Sequence, residues 1–255
     1  MFDHVHAADN VTRWTGLGVK LPKQLTEAIK TFEAIRYTEI GHAPGLDITK
    51  VTPDNAEAKI RELADQLTLS MNLVPVVGAN GVSVLEEAKR RYTDAAARSV
   101  LGEAGAAVPG IIELLSPEFD KHSAAYADAV AKLPTDLTAD SLVRAGGDAV
   151  IAYAEAQREA SYLNGVSNWV AETRLLPGHS GAPEPALRIL RPTSVVQLTK
   201  LDEATWKQAN QTVRAIDPVL YAAVREGVQF GINTSREASQ IRSSLAIRPQ
   251  PFTTV

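Results

Sequence analysis

Residues 138–176 read TADSLVRAGGDAVIAYAEAQREASYLNGVSNWVAETRLL, and the spacing of their apolar side chains predicts one long, alanine-rich helix. Leu142, Ala145, Ala149, Ala152, Ala156, Leu163, Val166 and Val170 recur at steps of three, four or seven, which places them along one helical face. Thr138 can accept from a free first-turn amide and Asp140 puts a carboxylate at the positive end of the helix dipole. Pro177 and Gly178 end the run, because proline cannot continue a helix and glycine accepts the left-handed turn that closes one. Such a helix would be roughly 55 Å long. Its stripe is narrow and small, with Gly146, Gly147 and Gly165 in or beside it. It suits either the core helix of a bundle or a coiled-coil rod between subunits.

On the N-terminal side, four further helices are expected. Pro22 opens one with Leu25, Ile29, Phe32 and Ile35 on a shared face; Thr52 and Pro53 open another with Ile60, Leu63, Leu67 and Met71 as its buried stripe. Ser83 and Glu86 form a capping-box pattern, Ser-x-x-Glu, ahead of a third. Gly102, Gly105, Pro109 and Gly110 should end that helix, and Ser116-Pro117 should start a new one that stops at Pro134. Between the second and third helices, valines flank Asn80-Gly81, the signal of a small β-hairpin or a plain loop.

On the C-terminal side, residues 177–186 are rich in proline and glycine and read as a linker. Beyond it, Leu187 to Leu190 and Val195 to Leu198 have the composition of short strands. Short helices follow, capped by Asp202, by Asp217-Pro218 and by a Thr234–Glu237 capping box. The expected chain is therefore mainly α: a helical bundle or hairpin over residues 21–176 with one long Ala-rich central helix, and a small C-terminal helical module with one or two short strands over 187–247. Residues 1–20, which show no periodicity, are expected to form an extended N-terminal arm, and 248–255, where Arg248-Pro249-Gln250-Pro251-Phe252 cannot continue a helix, an extended tail with Phe252 as its one apolar anchor.

Composition narrows the function classes. The chain has 255 residues, 45% of them hydrophobic, enough to bury a core. A net charge of -4 argues against a dedicated nucleic-acid binder, which displaces phosphate counterions with a basic stripe. The charge is divided, with 9 Lys and Arg against 5 Asp and Glu in residues 187–255 and 17 against 25 before them; head-to-tail attraction between copies is one use for that asymmetry. Zero cysteines exclude disulfides and thiolate chemistry. No apolar run was found that approaches a membrane span, and the first twenty residues lack the apolar block of a signal peptide, so a protein of the cytoplasm or of a virus particle is expected. Asn10, Asn210 and Asn233 begin glycosylation triplets, read as chance matches.

Few residues suggest chemistry. His4 and His6, flanked by Asp3 and Asp9, lack a third convergent metal ligand. Glu118 and His122 are spaced i to i+4, the separation of helix-surface pairs as much as of acid–base couples. Gly178-His179-Ser180-Gly181-Ala182 resembles a nucleophile elbow in spelling, but a helix leads into it instead of a strand. No cofactor motif is present. The leading expectation is a non-enzymatic structural or assembly subunit, with a virus or phage particle as its natural setting and with copies of itself and neighbouring subunits as partners; Trp14, Arg225, Arg236, Arg242 and Phe252 are its candidate contact residues. One alternative is an enzyme whose site gathers Asp120, His122, His179 and Ser180. The other is a regulator that binds nucleic acid through Arg225, Arg236 and Arg242.

Overall fold

Helix formation dominates, and the longest helix is not the one the apolar spacing singled out. A computed structural model describes residues 4–40, 51–71, 74–76 and 79–246. The chain is mainly α. In order it forms α1 (His4–Thr12), a 3-10 turn (Arg13–Leu17), α2 (Lys23–Tyr37), α3 (Ala56–Ser70), β1 (Val74–Val76), β2 (Ala79–Val82) and α4 (Val84–Ala131). Then follow α5 (Ala139–Arg144), α6 (Gly147–Thr173), a second 3-10 turn (Pro185–Leu187), β3 (Leu190–Arg191), α7 (Val195–Trp206), α8 (Gln211–Arg214), α9 (Pro218–Arg225), β4 (Gln229–Phe230) and α10 (Ser235–Ala246). The strands make two antiparallel pairs, β1 with β2 and β3 with β4. Contacts divide the chain into two units: residues 1–13 with 21–104, and residues 14–20 with 105–255.

The expected 138–176 helix is two helices. It starts as read: the Thr138 hydroxyl accepts from the Ser141 amide at 3.1 Å, and the Ser141 hydroxyl in turn accepts from the Thr138 amide at 2.8 Å. The break comes at Gly146, whose φ of 93° lies in the left-handed region that glycine alone enters without strain. After it, Ala149, Ala152, Ala156, Ala160, Leu163, Val166 and Val170 form the buried stripe of α6.

Conversely, α4 runs 48 residues without a break, through Pro109 and Pro117 and past the glycines expected to end it. A proline inside a helix removes the amide that would bond the carbonyl four residues earlier. For Pro109 that carbonyl belongs to Gly105, and it accepts instead from His179 Nε2 at 2.8 Å. For Pro117 it belongs to Glu113, on the exposed face where water can serve. By length and composition α4 is also the one helix among the described residues apolar enough to cross a membrane, which corrects the absence of any such run; glycines and prolines had disguised it. Its Val100, Leu101, Ala104, Val108, Ile111 and Leu115 are buried against the chain itself.

In the first unit the core joins Ala7, Ala8 and Val11 of α1, Leu25, Ile29 and Phe32 of α2, and Ala97 to Ala104 of α4. Asp9 of α1 pairs with Arg36 of α2, and Lys89 donates to the Thr38 carbonyl at 2.7 Å. The expected extended arm is thus helical from His4 onward. The Ser83–Glu86 capping box forms as read, with bonds of 2.8 and 3.1 Å. The β-hairpin is present, but it reverses between Val76 and Ala79, leaving Asn80-Gly81 within β2 rather than at the turn.

In the second unit, α7 packs on α9 and α10, and α10 on α6. The loop after α4 is laced down by side chains that donate to its carbonyls: Arg225 to Leu133 (2.9 Å) and Pro134, Tyr221 to Thr135 (3.1 Å), Asn210 to Leu137 (2.9 Å). Residues 177–186 belong to this same unit. Three readings of it change. Leu187 to Leu190 is not a strand, since Leu187 ends the second 3-10 turn and β3 begins only at Leu190. Val195 to Leu198 is the first turn of α7, capped by Ser194, not a strand; Asp202 lies inside that helix instead of capping one. The Asp217 and Thr234–Glu237 caps form as read. Phe252 and the expected tail lie outside the described residues.

Candidate functional site

The histidine candidates are built into the scaffold. His122, on α4, directs Nδ1 to the Glu159 carboxylate of α6 and Nε2 to Glu118 Oε1 at 3.2 Å, and its ring stacks on Tyr162 with centroids 3.8 Å apart. Glu159 is buried, 3% exposed, and takes a second hydrogen bond from Arg158 Nε at 2.9 Å. Burial pushes its carboxyl up, but the bonds from His122 and Arg158 outweigh it and hold the group below the ordinary carboxylate range. Both ring nitrogens are thus engaged by carboxylates and one face of the imidazole is covered by Tyr162. The Ser123 hydroxyl donates to the Asp120 carbonyl, and the Asp120 side chain is on the exposed side. What the cluster does chemically is clasp α4 to α6. His179, through its bond to Gly105, does the comparable service for α4, and Ser180 beside it is exposed. The four candidate catalytic residues do not converge.

The candidate contact residues scatter in the same way. Trp14 is 2% exposed, packs edge-on against Trp169 at 5.6 Å and donates to Glu172 at 3.3 Å, so it is a core residue rather than a clasp. Arg225 spends its guanidinium on the Leu133 and Pro134 carbonyls and lies over the Tyr221 ring. Arg242 is forked onto Asp202 through two 2.9 Å bonds and reaches Glu184 at 2.5 Å. Arg225 and Arg236 are exposed, and of the three Arg236 alone makes no hydrogen bond or ion pair among the described residues. A nucleic-acid surface made of these arginines therefore loses two of its three members to internal carbonyls and carboxylates. His4 and His6 both lie in α1, where Asp9 is committed to Arg36.

The residues that do present an unusual surface are those of α3. Its apolar stripe was expected to be buried; instead Ile60 is 68% exposed, Leu67 49% and Met71 54%, and Leu63 is only half-buried. In α2, the same kind of stripe is covered, with Leu25 and Phe32 fully buried. Flanking charges on α3 pair with one another along the helix, Arg61 with Glu57 at 2.6 Å and Lys59 with Glu62 at 2.6 Å. The spacing that revealed the stripe was legible in the sequence; that none of the described residues covers it was not. Compared with protein-family models, curated proteins and solved structures, the chain matches none.

Proposed function

We propose that the chain is a non-enzymatic structural or assembly subunit, and that α3 is the helix through which one copy meets another. The observation that carries this is the uncovered stripe Ile60, Leu63, Leu67 and Met71. A lone helix of this length is marginal in water, and most helical stability in proteins comes from burying an apolar face. The steps of three and four residues match a coiled-coil seam. Four of the five charged residues of α3 pair within the helix, leaving Asp65, so two identical stripes can meet about a two-fold axis with one unpaired carboxylate per copy.

The test is solution mass by light scattering over a range of concentrations, for the native chain and for an Ile60→Glu, Leu67→Glu double variant. A concentration-dependent multimer is expected, reduced to monomer in the double variant with its helical circular dichroism retained, since neither side chain belongs to the core. A native chain that stays monomeric at every concentration overturns the reading, and a multimer indifferent to the two substitutions removes α3 from it.

A further inference from the structure

The second unit contains a small cavity whose wall holds more positive charge than the chain neutralises. It measures about 100 Å³ and lies between the end of α6, residues 182–184, Arg188 and the start of α10. That is several times the roughly 10–15 Å³ that one water needs, room for a tetrahedral oxyanion. Val170, Ala171, Pro183 and Ala238 supply an apolar lining, where a charge is felt more strongly than in open water.

Two arginines line this space, Arg174 from the C-cap of α6 and Arg188 from the residue after the second 3-10 turn. Among the described residues neither has a carboxylate or a hydrogen-bond acceptor. Other arginines of the unit are provided for: Arg242 by Glu184 and Asp202, Arg191 by Asn233 Oδ1 at 2.7 Å and the Ile232 carbonyl at 2.9 Å, Arg225 by two loop carbonyls. Glu184, the one carboxylate in the lining, is taken by Arg242. Arg188 is half-buried, and burial, with the neighbouring charge of Arg174, pushes its pKa down, as expected where two cations meet and no anion separates them.

An independent observation concerns Ser235, which begins α10 and lines the same cavity. The residue is 7% exposed, and its hydroxyl makes no hydrogen bond among the described residues, which leaves it free to donate to a bound anion. In the first turn of α10 the Glu237 amide bonds the Thr234 hydroxyl and the Glu237 carboxylate caps the Thr234 amide, which leaves the Ser235 and Arg236 amides to favour an anion. Asn233, the other polar group of the lining, is already filled by the Leu187 and Leu190 carbonyls and by Arg191.

We propose that this cavity binds a phosphate-type oxyanion, gripped by Arg174 and Arg188 and accepting from the Ser235 hydroxyl at the start of α10. The planar fork of arginine suits two oxygens of such an anion, and an anion between the two guanidinium groups would remove their mutual repulsion.

The experiment is calorimetric titration of the full chain with inorganic phosphate and, separately, with phenyl phosphate. Saturable binding of inorganic phosphate with a Kd on the order of 1 mM or tighter is expected. Arg174→Ala and Arg188→Gln should each weaken it roughly ten-fold or more, Ser235→Ala by a smaller factor, and Arg236→Ala, outside the lining, by less than about two-fold. Equal binding of phenyl phosphate would identify a phosphate group carried on a larger molecule; binding of inorganic phosphate alone would identify the free anion. Arg174 is exposed, so its variant keeps the test decisive if Arg188→Gln unfolds. Absence of saturable binding, or equal losses in Arg174→Ala and Arg236→Ala, overturns the site.

Discussion

Gly105 and Gly146 are both indispensable for want of a side chain, but for different reasons. A Cβ on Gly105 would lie 2.7 Å from the Pro177 carbonyl oxygen, so the chain after α6 approaches α4 more closely than alanine permits. At Gly146 nothing lies within 4 Å of such a Cβ, and the constraint is the φ of 93°. Gly105→Ala should therefore destabilise by about 1–3 kcal/mol through overpacking, and Gly146→Ala by about 1–2 kcal/mol through backbone strain alone. The two mechanisms separate in a double variant with His179→Ala. That substitution strips the hydrogen bond from the Gly105 carbonyl, a loss of about 1–3 kcal/mol for a carbonyl left unpaired. Its effect should fail to add to that of Gly105→Ala, because both act on one contact, and should add to that of Gly146→Ala. Urea midpoints of the single and double variants measure this, and simple additivity in both pairs would remove His179 from the support of α4.

At the level of the element, the start of α4 is an electrostatic device. Glu87 lies in the first turn, bonded by Arg90 at 2.8 Å and Arg91 at 2.6 Å. Hydrogen bonds from Arg90 and then Arg91 hold its carboxyl down to about 2, against an ordinary value of 4.5. A carboxylate depressed in the folded chain stabilises it fully above the unfolded value and ceases to do so as pH falls through the folded one. Its contribution should accordingly disappear between about pH 4.5 and about pH 2. Glu87→Gln is expected to flatten denaturation midpoints across that window, and added salt to shrink the difference, since both arginines are largely exposed; identical acid profiles for the two chains would refute it. The capping boxes at Ser83 and Thr234 and the N-cap at Thr138 were legible because a cap is a local matter of a hydroxyl and an amide three residues apart; the return bond from Ser141 that completes a box at Thr138 was not read. Helix interiors were less so. Pro109 marks a break unless a distant group adopts the stranded carbonyl, and that His179 does so is invisible before the chain folds. Val195 to Leu198 has strand composition, yet Ser194 caps it and tertiary packing on α9 decides for helix. Of the candidate site, the α3 stripe was visible as a period but not its lack of cover, and the Arg174–Arg188 pair carries no spacing that would have announced it.

Across the whole molecule, side chains that looked available for partners are mostly committed inside the chain. The surplus of basic residues after position 187 lends Arg191, Arg225 and Arg242 to carbonyls and carboxylates of its own unit. The N-terminal residues are committed in the same way. Ala7, Ala8 and Val11 of α1 are in the core of the first unit, and Trp14 is in the core of the second against Trp169. The spacing of His4, Ala7, Ala8 and Val11 is helical, but small residues give it little apolar weight, which is why it read as an arm. Arm and core make opposite forecasts for a chain lacking residues 1–20. An arm can be removed with the melting transition intact and only the multimer lost. A core segment cannot: loss of a buried tryptophan alone costs about 3–5 kcal/mol, a large part of the stability of an ordinary domain. The truncated chain is expected to lose its cooperative thermal transition, or to melt far lower, with Trp169 fluorescence shifted toward that of a solvated indole. Trp14→Ala in the full chain should reproduce much of that shift while leaving α1 in place. A truncated chain that melts with the native one would return residues 1–20 to the role of a detachable arm.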